Sequence, residues 1–115
     1  MLRERFPDAD ALVCATDMTA LGALSECRRQ GWKVPDDIAI AGYGNFDFAA
    51  SLNPSLTTMR LPSYTIGTRA AELIMARLTG ERPSETVPPS PIDLGFQIIH
   101  RDSTRRAAEN EDQER

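Results

Sequence analysis

Catalysis by side chains needs a base held beside a nucleophile, and the only histidine available for that is His100. No nucleophile pairs with it by spacing. Ser25, Ser51 and Ser55 lack the glycine-flanked setting of a strained nucleophile elbow. The acidic residues are scattered, without the clustering that a metal ion requires. Cys14 and Cys27 are the only cysteines, and both read as buried, reduced thiols, one in a strand and one on an apolar helix face. No catalytic residue, metal or cofactor is therefore expected, and the chain does not read as an enzyme.

Two polar loops are better placed to bind something. Thr16-Asp17 follows an apolar run, Ala11 to Ala15, and Gly42-Tyr43-Gly44-Asn45-Phe46-Asp47 follows a second, Ile38 to Ala41. In an open α/β sheet the ligand lies outside the carboxyl ends of the strands, where both loops would fall. Short polar side chains there can hydrogen-bond sugar hydroxyls or a carboxylate, helped by unpaired N–H groups at the start of a following helix. Each residue has a plainer structural use. Asp17 reads first as a helix N-cap and only second as a ligand. Asn45 reads equally as a turn residue and as a ligand. Gly44 reads as a backbone position with positive φ.

The elements that must position these loops follow from periodicity. The run at Ala11 to Ala15 predicts a strand buried on both faces. Ala20, Leu21, Leu24 and Cys27 recur at helical spacing, and Gly31 and Pro35 stop that helix. Ile38 to Ala41 predicts a second strand, so a parallel βαβ unit is expected. Residues 42 to 55 read as a loop with a short helical turn near Phe46 to Leu52. A strand is predicted at Leu56 to Arg60, and a helix from Pro62-Ser63 to Gly80. Residues 81 to 91 hold four prolines and read as a loop. Ile92, Leu94, Phe96 and Ile98 alternate with polar or small residues, which predicts a half-buried strand. Residues 1 to 10 read as a charged lead-in and residues 105 to 115 as a charged disordered tail.

Composition sets outer limits. The formal net charge is −4, and this acidic balance argues against a nucleic-acid surface within the chain. No apolar run reaches the roughly 20 residues that span a bilayer, so no membrane partner is expected. The start is not a signal peptide, which points to the cytoplasm.

Several blocks together resemble a known family. Thr16-Asp17-Met18-Thr19-Ala20-Leu21-Gly22-Ala23 resembles the "(N/T)D-x-x-A-x-G-A" segment of LacI/GalR-type transcription regulators. Residues 31 to 43, with Val34-Pro35 and Gly42-Tyr43, resemble their "G-x-x-V-P-x-D-(I/V)-x-(I/V)-x-G-(Y/F)". Pro54-Ser55-Leu56-Thr57-Thr58-Met59 is similar to "P-x-L-T-T-(I/V)", and Arg101-Asp102-Ser103-Thr104 to the closing "R-(E/D)-S-T". Each block is weak alone, but the ordered set spans about residues 9 to 104.

The resemblance implies an α/β, periplasmic-binding-protein-like type I fold with a parallel βαβ core, here residues 1 to 104, and an incomplete second subdomain. It implies sensing of a small-molecule effector, a sugar or sugar acid, by a homodimeric, allosteric regulator such as a repressor. Operator DNA would be bound only through an N-terminal helix-turn-helix that these residues do not include. The expected effector contacts are Thr16, Asp17, Gly44, Asn45, Asp47 and Arg60, and the expected dimer positions are Leu21 and Leu52. Gly44 stands where the family usually places an effector-binding Asp, so Asn45 or Asp47 takes that role or the effector is itself acidic. The stretch from Arg60 to Gly67 resembles gluconate-type members, and there Arg60 is a carboxylate partner. Its plainer reading is a solvent-facing strand residue; for Leu21 and Leu52 the competing reading is burial in the monomer core, which for Leu21 weighs equally. The helix at 63 to 79 is expected to have a poorly covered apolar stripe. Two alternatives stay open: part of a periplasmic-type sugar-binding protein, or a non-functional remnant that associates through apolar surface.

Overall fold

A computed structural model describes residues 2–80 and 91–105. The proline-rich loop expected at 81 to 91 lies almost wholly outside the described residues, as does the tail after Arg105. The chain divides into two compact units: Met1–Arg60 with Gln97–Arg115, and Leu61–Phe96.

The first unit is built on a four-stranded sheet in the order β1-β2-β3-β4. Its strands are β1 (Ala11–Val13), β2 (Ala39–Tyr43), β3 (Thr57–Arg60) and β4 (Gln97–Ile99). β1, β2 and β3 run parallel, and β4 returns antiparallel beside β3. A one-turn helix, α1 (Leu2–Arg5), occupies part of the expected lead-in.

Helix α2 (Asp17–Gln30) forms the crossover between β1 and β2. Thr16 is its N-cap, with Oγ1 accepting from the Thr19 N–H at 3.1 Å. Gly31 ends it at φ 74°, a left-handed conformation that costs glycine nothing, and its N–H returns to the Arg28 carbonyl. Ala20, Leu24 and Cys27 are buried at helical spacing against Cys14, Ile38, Ile40 and Leu56. A 3-10 helix, η1 (Asp47–Ser51), adds Ala49 to the same core. The helical turn expected near Phe46 to Leu52 is thus present. Both cysteines are buried, and neither is in a disulfide. Burial pushes the Cys14 thiol above its usual range, and the neighbouring Cys27 pushes it further.

Two strand expectations are corrected. β1 is not buried on both faces, since Val13 is 80% exposed. An apolar run suits a central strand, but β1 is an edge strand and only the Leu12 side shares the face of Ile40. The opposite face of the sheet also carries exposed Tyr43 and Ile98. The last strand is shorter than the alternation from Ile92 to Ile98 predicts. Gly95 has φ 74°, and its N–H donates to Asp93 Oδ1 at 2.8 Å, so a local turn replaces the ladder there.

The second unit contains helix α3 (Ser63–Leu78), which has no buried residue. Its Ile66, Ala70 and Leu73 line a shallow cleft together with Ile92 and Leu94. Ile74, Met75 and Leu78 are exposed. The poorly covered stripe expected for this helix is what the structure has.

Candidate functional site

The parallel register places three chain exits side by side. β1 leads through Cys14 and Ala15 to Thr16, β2 leads directly into Gly44, and β3 ends on Arg60. Thr16, Gly44, Asn45, Asp47 and Arg60 therefore gather at the carboxyl edge of the sheet. Asp17 joins them by a different route.

Asp17 is fully buried, and its carboxylate is used inside the protein. Thr58 Oγ1 donates to Oδ1 at 2.6 Å and the Phe46 N–H donates to Oδ2 at 2.8 Å. It is not the N-cap, because Thr16 fills that position, and no oxygen of it faces solvent. The expected ligand contact at Asp17 is corrected to a brace between the start of α2, β3 and the loop after β2. The brace dictates a glycine elsewhere. A Cβ on Gly42 would lie 2.2 Å from Asp17 Oδ1, so only glycine lets β2 pass this close.

The loop itself has unusual backbone geometry. Gly44 has φ 119° and Asn45 φ 51°. At Gly44 the conformation sets the residue type rather than space, since a Cβ there would meet only the Phe46 ring at ordinary contact distance. Asn is among the residues that tolerate the left-handed region best, so Asn45 does serve the turn. Its N–H donates to Thr58 Oγ1 at 3.2 Å, and its Oδ1 accepts from Arg101 Nη2 at 3.1 Å. The Gly44 N–H donates to the Met59 carbonyl at 2.9 Å.

Three groups remain accessible at this edge. Thr16 is exposed, with its hydroxyl 3.1 Å from that of Thr19. Asp47 is exposed at the start of η1. Arg60 is exposed and donates to the Gln97 side chain on the neighbouring strand. Exposed Tyr43 and Phe46 flank them, and Phe46 leans on Phe48 with ring centroids 5.7 Å apart. The edge thus offers hydroxyl, carboxylate and guanidinium groups beside an apolar aromatic surface, a combination suited to a small polyhydroxylated ligand. Among the described residues, no group of three or more His, Cys, Asp or Glu is placed to hold a metal ion.

Leu21 and Leu52 lie elsewhere. Both are half-buried and line a groove of about 320 Å³ with Leu24, Ser25 and Arg28. Arg28 Nη2 closes one side by donating to the Asn53 carbonyl at 3.1 Å.

Residues outside the expected effector contacts prove central to the wiring of the sheet. Ser103 is fully buried. Its Oγ donates to the Ile40 carbonyl at 2.6 Å and accepts from the Thr57 N–H at 2.8 Å, while its own carbonyl accepts from the Ile40 N–H. The closing Arg101-Asp102-Ser103-Thr104 turn thereby ties β2 to β3. Its resemblance to a family motif was the available signal; nothing local in it announced partners 46 and 63 residues away.

Comparison with known proteins agrees with this architecture. Residues 1–104 match the family described as periplasmic binding protein-like domain. The HTH-type transcriptional regulator GntR of Escherichia coli K12 is 40% identical over 96 residues, which are 84% of this chain and 28% of that protein. The structure of the transcriptional regulator CelR–cellobiose complex superposes with a TM-score of 0.76 at 34% identity, covering 89% of this chain and 30% of that one. A LacI family transcriptional regulator from Arthrobacter sp. FB24 in complex with lactose gives 0.69 at 31% identity, covering 90% and 37%. The chain spans about a third or less of these relatives, and it belongs to the periplasmic-binding-protein-like domain family in the form carried by LacI-type transcription regulators.

Proposed function

We propose that this chain senses a small effector for a LacI-type regulator and does no catalysis. One observation carries the reading: polar groups at Thr16, Gly44–Asp47 and Arg60 meet at the carboxyl ends of three adjacent parallel strands. Relatives solved with cellobiose and with lactose support a carbohydrate as the ligand class. Arg60, together with glycine rather than a carboxylate at position 44, favours a sugar acid within that class. Thr16, Asp47 and Arg60 provide side-chain contacts, Gly44 lets the ligand approach the backbone, and Asn45 contributes its amide N–H2 group.

The same reading places the protein in the cytoplasm as a homodimer that associates around Leu21 and Leu52. Operator DNA is bound by a helix-turn-helix outside these residues. A ligand at the edge acts by binding one conformation of the dimer better than another. That no described helix is long and apolar enough to cross a membrane is consistent with this placement.

The test is a titration of the 15N-labelled chain, followed by NMR, with gluconate and then with glucose. Saturable shifts confined to the amides of Thr16, Gly44, Asp47 and Arg60 are expected with gluconate, and Arg60→Ala weakens that binding by about tenfold. Shifts with glucose alone keep the sensor and discard the acid. No shifts at these amides with either compound at tens of millimolar overturn the assignment of the site.

A further inference from the structure

The connection from β2 to β3 leaves the sheet at Gly44 and re-enters at Leu56, carrying η1 and most of the candidate site. Its two ends are held by a single side chain. Arg101 Nη1 donates to the Leu56 carbonyl at 2.8 Å, and Nη2 donates to Asn45 Oδ1 at 3.1 Å. One guanidinium therefore spans the entry and the exit of the same excursion. The planar fork suits this use, because its donors are fixed relative to one another.

Arg101 is itself firmly anchored. Its N–H donates to Thr57 Oγ1 at 2.8 Å, its carbonyl accepts from that hydroxyl at 3.1 Å, and the Ser103 N–H donates to the Ser55 carbonyl at 2.8 Å. These bonds use the backbone of the turn and do not need the guanidinium. Changing the side chain at 101 thus removes the clamp while leaving the turn tethered. At the other end the backbone N–H groups of Gly44, Asn45 and Phe46 are held by Met59, Thr58 and Asp17, and the guanidinium adds a bond to the side chain of Asn45, whose backbone sits at φ 51° just outside the ladder.

We propose that Arg101 is the positioning residue of the effector edge: it fixes the conformation of residues 44–47 by clamping both ends of the β2–β3 excursion, and so sets how that loop meets a ligand. The proposal rests on the effector reading for its consequence but not for its test. The clamp also links the closing turn of the chain to the ligand-facing loop, so movement of either is felt by the other.

Amide hydrogen exchange of the full chain, without ligand, reads the clamp directly. The Asn45 and Phe46 amides are hydrogen-bonded to Thr58 and Asp17 and report loop opening, while the Ile40 amide, bonded to Ser103, reports the sheet. Arg101→Met is expected to speed exchange at Asn45 and Phe46 by about tenfold and leave Ile40 unchanged. Asn45→Gly, which accepts the positive φ, removes the same bond from the other side and should speed Phe46 to a similar degree, with the double variant adding nothing beyond the Asn45→Gly effect. Arg101→Lys, a single donor group, should fall between. Unchanged loop exchange, additive effects in the double variant, or a rise at Ile40 in step with the loop would each overturn the proposal. Should the wild-type chain bind neither gluconate nor glucose while the exchange pattern holds, the clamp stands and the effector assignment falls.

Discussion

Helices α2 and α3 carry similar apolar patterns and meet different fates. In α2, Ala20, Leu24 and Cys27 disappear into a core that Ile38, Ile40, Ala49 and Leu56 complete. In α3, the apolar residues Ile66, Ile74, Met75 and Leu78 stay 41 to 75% exposed. The difference teaches what a helical stripe means. Periodicity states that a face is available for burial; burial itself depends on which other elements come to that face. α2 gains its partner through the βαβ crossover, which brings the next strand back within about 30 residues. Among the described residues of its own unit, α3 has the 92–95 segment beside it.

This contrast can be broken most directly by truncating one side chain in each region. Ile40 is fully buried, and Ile40→Ala should destabilise the first unit by about 2–5 kcal/mol in denaturant unfolding. Ile74→Ala, at an exposed position of α3, should change stability by less than about 0.5 kcal/mol. Comparable losses at both positions would mean that α3 is covered in solution, and the contrast would fail.

A smaller effect probes the polar side of the α2 core. Asp17→Asn replaces one of two buried acceptors with a donor facing the Phe46 N–H or the Thr58 hydroxyl. A loss of about 1–3 kcal/mol is expected, with the largest amide shifts at Asn45 and Phe46. If stability moves by only a few tenths, the carboxylate is not the brace between helix, loop and β3.

The smallest effect lies on the solvent side of α2. Glu26 accepts from Arg29 Nε at 2.8 Å and Nη2 at 2.7 Å, and from Gln30 at 2.9 Å, which lowers its pKa from 4.5 to about 2. The folded-state pKa is depressed, so any contribution is present above about pH 4.5 and fades as pH falls toward 2. NMR titration of Glu26 should give a midpoint near 2, and Arg29→Ala should move it back toward 4.5. Exposure and salt screening keep the effect on folding slight. A midpoint at the ordinary value would mean the pair does not persist in water.

Short-range signals were legible because their causes are short-range. The stop at Gly31 and the positive φ at Gly44 follow from residues within a turn or two of each other, and the parallel βαβ unit from the periodicity of consecutive segments, whereas the cap expected at Asp17 lies one residue earlier, at Thr16. The candidate edge was legible for the same reason, since it needs only the ends of predicted strands. The internal wiring of that edge was not. Asp17 meets Thr58 across 41 residues and Arg101 meets Asn45 across 56, and no local pattern encodes such a pairing. The strand expected from Ile92 failed through an Asp93–Gly95 turn, where a side chain outcompetes the ladder for one N–H. β1 misled because an apolar run does not distinguish a central strand from an edge strand.

The pairing of Arg60 with Gln97 has a wider meaning. Seen from the sheet, β3 and β4 form an antiparallel hairpin, and all of Leu61–Phe96 is its loop. The entropic cost of closing such a loop grows only with the logarithm of its length. The hairpin register is therefore largely insulated from the size and content of what it carries. Insertions, deletions or exchanges within the excursion can accumulate without disturbing the edge at which β1, β2 and β3 end.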